Sequence, residues 1–208
     1  KSTGGYDFVP LSVATPGAAN AAPQVGPVVI SEIMYHPAAP DQVQYVELCN
    51  ISDAPVTLHD EALGLAWRFT DDPDNPEISL LLAGGEPVTL PAGRCLLLVK
   101  DLLSFSLAHD VPDDIAVLAW GPGMLSHGGE RIEISRPGAV AGDGVVAWIG
   151  LDRVAYSDGS HPQDSAVGVD PWPIEADGQG LSLHRIDPTA YGNDPTNWKA
   201  AVPSPGIR

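Results

Sequence analysis

Positive charge is scarce in this sequence: Lys and Arg total 10 against 27 Asp and Glu, a formal net charge of −17. Affinity for a phosphate backbone or an anionic lipid surface needs clustered cations, so direct nucleic-acid binding is not expected. No run approaches the roughly 20 apolar residues of a membrane-spanning helix, so no membrane insertion of that kind is expected either. Nucleophile motifs are missing as well. There is no Gly-x-Ser-x-Gly and no Gly-rich phosphate loop ahead of a helix, and Ser160-His161 is a loop dipeptide without triad logic. The chain is therefore not expected to be an enzyme.

Cysteine is limited to Cys49 and Cys95, each inside an apolar run, "VELCN" and "GRCLLLV". They are either small core residues or the partners of a cross-strand disulfide. Sequence leaves both open, because it cannot place two Cβ atoms within bonding range. If bonded, they close a loop whose chain entropy is worth about 4 kcal/mol.

Gly (22) and Pro (21) are plentiful, so frequent turns are favoured over long helices. Alternation and turn punctuation predict ten short strands: 28–35, 45–50, 56–58, 66–69, 88–90, 94–99, 116–119, 131–135, 145–149 and 154–156. One helical turn or two fits "DLLSFSLAHD", with Asp101 as cap and Leu102, Phe105 and Leu107 docking on a sheet edge. After Tyr156 the chain turns rich in Pro, Gly and Asp, and reads as a long irregular segment. Within it, Trp172 between Pro171 and Pro173 reads as a buried plug, with an exposed sugar-stacking ring as the alternative. The expected fold is all-β, a sandwich of about eight to ten strands.

A weak internal repeat bears on organisation. "FVPLSVATPGAAN" (8–20) and "WKAAVPSPGIR" (198–208) both run from an aromatic through small residues to Thr or Ser, Pro, Gly. Residues 1–26 are expected to be a linker or the closing segment of a preceding domain, and 27–208 the sandwich itself. The opening "KSTGGYDF" has neither an initiator Met nor a leader pattern, which suggests a piece of a longer protein.

Two places carry candidate chemistry. In "VVISEIMYHPAAPDQVQYVELCNISD", strict alternation from Val28 puts Ile30, Glu32 and Met34 on one face, while Glu47 lines up with Tyr45 and Cys49. If the strands pair, Glu32 and Glu47 come within range for acid/base or metal chemistry. The leading reading is that these carboxylates hold loop N–H groups at strand ends. His36 precedes Pro37 and has no second His at ligand spacing, so it reads as a turn residue rather than a zinc ligand. The loop "DDPDNPE" offers Asp71, Asp72, Asp74, Asn75 and Glu77, hard oxygen ligands of the kind Ca²⁺ takes. Its spacing is not that of an EF-hand, and a solvated acidic loop is the leading reading. No other cofactor is expected.

Six segments taken together resemble the lamin tail domain family in its bacterial, extracellular form: "VVISEIMYHP", "QYVELCNISDAPVTL", "LPAGRCLLLV", "WGPGMLSHGGERIEI", "WPIEADGQGLSLHRID" and "GNDPTNWKAAVPSPG". They run in the family's order from Val28 to Gly206. The resemblance implies an immunoglobulin-like β-sandwich with no catalytic motif of its own, an accessory module of large secreted or cell-surface proteins. Cys49 and Cys95 depart from the family's more usual aromatic or aliphatic residues. The leading functional expectation is a non-catalytic interaction or spacer module of an extracellular or cell-surface multidomain bacterial protein, in tandem domains and facing a protein or cell-surface polymer. The alternatives are a calcium- or carbohydrate-dependent surface-binding module and, behind it, a hydrolase using Glu32 and Glu47.

Overall fold

A computed structural model describes residues 10–38, 43–72, 75–83, 85–164 and 168–207. The first half of the chain forms β1 (Val28–Met34), β2 (Tyr45–Asn50), β3 (Val56–Thr57), β4 (His59–Asp60), β5 (Leu65–Ala66), β6 (Arg68–Thr70), β7 (Ser79–Leu81), β8 (Thr89–Leu90) and β9 (Cys95–Val99). Helix α1 (Leu102–Ala108) follows, then β10 (Ala116–Ala119), β11 (Gly129–Val140), β12 (Val146–Ser157), β13 (Ser182–Arg185) and β14 (Trp198–Ala201). The fold is all-β and sandwich-like, with one short helix, as expected from the turn-rich composition.

A six-stranded sheet, ordered β10-β9-β2-β1-β13-β14, faces a four-stranded sheet ordered β12-β11-β6-β7. Ile30, Ile33, Leu48 and Leu96 of the larger sheet meet Phe69, Ile132, Ile134 and Val154 of the smaller in one core. The larger sheet is covered on its other face too, where Met34, Tyr45, Leu97 and Val99 lie against Phe105 and Ile115. Burial on both sides is why β2 and β9 read as near-continuous apolar runs, and every residue of both strands is buried.

The parallel pair β9–β10 requires a crossover, and α1 supplies it. Asp101 caps the helix by accepting from the Ser104 N–H at 2.8 Å. Of the three residues expected to dock, only Phe105 does. Leu102 and Leu107 are exposed, because a helix this short presents one inward position over Tyr45.

The expected strands are corrected in three places. The expected strand 131–135 extends into the 12-residue β11, and the expected strands 145–149 and 154–156 merge into the 12-residue β12, with their hairpin turn at Ala141–Gly144. Pro137 is tolerated there because β6 pairs β11 only through Glu133–Ser135, leaving Pro137 no second ladder to serve. No strand was expected beyond Tyr156, yet β13 and β14 follow the irregular stretch, and β13 pairs directly with β1.

The third correction concerns β1. Its register with β2 shifts between Ile30 and Glu32, so Ser31 is an extra residue. Ile30 therefore points into the main core, while Glu32 and Met34 point to the opposite face. Strict alternation placed all three together; the bulge reverses the side from Glu32 onward.

Candidate functional site

The bulge brings Glu32 directly opposite Glu47 on one face of the large sheet. Both are buried, at 2% and 4% exposure. Cys49, two residues along β2, pairs with Cys95 on β9 and is disulfide-bonded to it. The open question of the cysteines is thereby answered, and both are spent.

Each carboxylate is occupied. Glu32 Oε1 accepts from the Tyr45 hydroxyl, from Ser182 Oγ at 2.6 Å and from the Ser204 N–H at 3.1 Å. Glu32 Oε2 accepts from Ser204 Oγ at 3.3 Å, and His184 Nε2 lies 3.3 Å from Oε1. Glu47 Oε1 accepts from Ser31 Oγ at 2.7 Å, and Glu47 Oε2 from the Gly206 N–H at 2.9 Å. Burial pushes the Glu32 carboxyl up, but hydrogen bonds from His184, Ser182 and Tyr45 outweigh it, and its pKa ends below the ordinary value. The Tyr45 hydroxyl is pushed up by burial and by the neighbouring Glu32, so it stays protonated and donates. The two carboxylates thus form an acidic cradle that grips the C-terminal Ser204-Pro205-Gly206 turn. They sit mid-strand, yet they bind loop N–H groups as expected.

Beside the cradle lies an ion pair that sequence reasoning missed. Arg185 Nη1 meets Asp152 Oδ2 at 2.6 Å, with both side chains almost wholly enclosed. Asp152 Oδ2 also accepts the Ile30 N–H at 2.8 Å, and Arg185 Nη1 donates to the Ile30 carbonyl at 3.1 Å. The pair therefore takes up the backbone groups that the bulge releases, and it ties β12 of one sheet to β1 and β13 of the other. A Cβ on Gly192 would stand 2.7 Å from Asp152 Oδ1, so the pair also demands a glycine there. A charged residue in each of "GLDRV" and "LHRID", both within apolar alternation, was the available signal.

The acidic loop lies elsewhere, on the far sheet. Asp71, Asp72, Asn75 and Glu77 line an open hollow of about 570 Å³, together with His127 and Glu130; Asp74 lies outside the described residues. Asp71 is buried, and its Oδ1 has no hydrogen-bond partner among the described residues. Burial pushes the Asp71 carboxyl up, helped by the charge of Glu77. Glu130, which the sequence reading did not include, is raised mainly by burial, with Asp71 and Glu77 adding to it. Asp72 is held by Arg131 Nη2 at 3.4 Å.

The remaining candidates have structural roles. His36 bonds Asp177 Oδ1 at 2.5 Å and stacks on His127 at 3.8 Å, pinning the loop before β13. Trp172 is buried against Trp198 in the main core, so its ring is not offered for sugar stacking. Around His161, Asp158 Oδ1 lies 3.0 Å and Ser157 Oγ 3.3 Å from the same atom, Nδ1. A nucleophile triad needs the hydroxyl and the carboxylate on opposite ring nitrogens, so this cluster is a loop clasp. Asp170 completes it by accepting the His161 and Trp172 N–H groups, each at 3.1 Å.

Fold and site define an all-β sandwich-like module closed by its own C-terminal turn. No protein-family model matches the chain, and it matches no curated protein.

Proposed function

We propose that the chain is a non-catalytic interaction or spacer module of a secreted or cell-surface multidomain protein, of the lamin-tail kind that its six ordered segments resemble. The observation that carries this reading is the cradle. The two carboxylates closest to acid/base geometry lie beneath the Ser204–Gly206 turn and are engaged in holding it. A general base must instead reach a substrate proton. The Cys49–Cys95 disulfide supports an oxidising compartment, and the charge of −17 argues against nucleic acid as the partner. A panel of esterase, phosphoesterase and glycosidase substrates should show no turnover. Turnover that Glu47→Gln abolishes without lowering the melting temperature would sink the proposal in favour of a hydrolase.

Asp71 favours a second reading, in which surface binding depends on Ca²⁺. A buried carboxylate oxygen without a partner, facing a hollow shared with Glu77 and Glu130, is a group that a hard cation satisfies. Under this reading, millimolar CaCl₂ raises the melting temperature and gives a calorimetric binding isotherm, and Asp71→Asn removes both. A flat titration of the parent protein rejects calcium.

A further inference from the structure

The N-terminal segment carries a second copy of the turn that the cradle holds. Residues 10–25 contribute no buried side chain to the sandwich. They fold back on themselves through a bridge between Leu11 and Pro23 and a hydrogen bond from the Ser12 N–H to the Ala22 carbonyl at 2.9 Å. At the tip stands "VATPGA" (13–18), which aligns with "VPSPGI" (202–207) with the Val, Pro and Gly identical and Thr in place of Ser.

The match extends to conformation. In the C-terminal turn the Ile207 N–H donates to the Ser204 carbonyl at 3.0 Å, and Gly206 has φ +75°. In the N-terminal turn the Ala18 N–H donates to the Thr15 carbonyl at 3.2 Å, and Gly17 has φ +73°. Both are turns with Pro at the second position and a positive-φ Gly at the third, the pattern of type II. Their surroundings differ completely. Pro205 is buried, and a Cβ on Gly206 would stand 3.0 Å from Val111. Pro16 is exposed, and among the described residues nothing lies within 4 Å of a Cβ on Gly17.

The groups that the cradle uses are the Ser204 N–H and hydroxyl and the Gly206 N–H. Thr15 and Gly17 offer the same three donors at the same spacing, and among the described residues no partner takes them. From this we infer that the Thr15-Pro16-Gly17 turn is a ligand for the acidic cradle of an adjoining copy of this module, where it replaces the Ser204-Pro205-Gly206 turn. Consecutive modules would then be joined by a short segment that closes one domain and leads into the next. The inference rests on the reading of the chain as one module of a multidomain protein.

The test is a two-copy chain in which residue 201 of the first copy runs directly into residue 13 of the second. "VATPGA" then stands where "VPSPGI" stood, and the first cradle has no other turn to take. We expect one thermal transition within about 3 °C of the parent's, a shift equivalent to under about 1 kcal/mol at this size. The Gly17 amide at the junction should exchange with solvent at least about 100-fold more slowly than in the single chain. A first copy that melts as low as the Gly206→Val parent, or a Gly17 amide that exchanges as fast as before, overturns the inference. If the two-copy chain does not accumulate, the single chain carrying Pro203→Ala, Ser204→Thr and Ile207→Ala presents the same "VATPGA" to its own cradle. Parental melting then supports the inference, and melting like Gly206→Val overturns it. Substrate turnover dependent on Glu47 would instead count against the module reading and leave the docking result standing.

Discussion

Trp198 shows how a single side chain can be read from sequence and then given its full role by the structure. "GNDPTNW" is rich in turn formers, and it does aim the indole back at the core: Asp194 accepts the Thr196 N–H at 3.0 Å, and Trp198 Nε1 donates to the Gly192 carbonyl at 2.7 Å. Trp198→Ala removes a buried aromatic and orphans that carbonyl, so it should cost about 3–5 kcal/mol in urea denaturation. An unchanged melting temperature would contradict the placement. Glu32 and Glu47 were equally visible as residues, and so was the kind of partner they take. The sequence could not show that the partner is the Ser204–Gly206 turn, because that contact joins positions 172 residues apart.

Among the elements, the most legible strands were those whose patterning is locally complete. β2 and β9 are buried throughout, β9 wholly apolar and β2 broken only by Glu47 and Asn50, and both lie close to the expected bounds. β13 and β14 are four residues each and sit among Gly, Pro and Asp; β13 is held by pairing with β1, and β14 by pairing with β13. The bulge in β1 is also non-local in origin, since Ser31 leaves the ladder where Asp152 and Arg185 wait for the Ile30 backbone. That arrangement makes a strong prediction. Arg185→Ala leaves a buried, unpaired Asp152 and an unsatisfied Ile30 carbonyl, and should lower stability by about 3–5 kcal/mol. A loss under about 1 kcal/mol by chemical denaturation would mean that the bulge is held by something else.

For the molecule as a whole, charge and burial predict the response to acid. Asp71 and Glu130 have raised folded-state pKa values, so their contribution is fullest below the unfolded value and is lost as pH rises through the folded one. Glu32 is depressed, so its contribution is intact at neutral pH and is lost as pH falls through a folded pKa below 4.5. The Asp71 and Glu130 contributions should therefore raise the melting temperature as pH drops toward the carboxylate range, against a loss from His109 and His127, whose imidazoles burial pushes down, and the Glu32 contribution should lower it below that range. Asp71→Asn should flatten the rise and Glu32→Gln the fall. An Asp71→Asn profile identical to the parent's between pH 7 and 4.5 would show that burial of Asp71 adds nothing to the response. What the sequence determined by itself was the all-β class, the turn-rich layout and the near-continuous apolar strands, because each follows from composition or from neighbours a few residues apart. Only the tertiary structure decided that Glu32 faces Glu47, that Cys49 bonds Cys95, and that a C-terminal turn closes over them. Those outcomes depend on one extra residue in β1 and on pairing between distant strands, and a register shift of one residue reverses which face a side chain occupies.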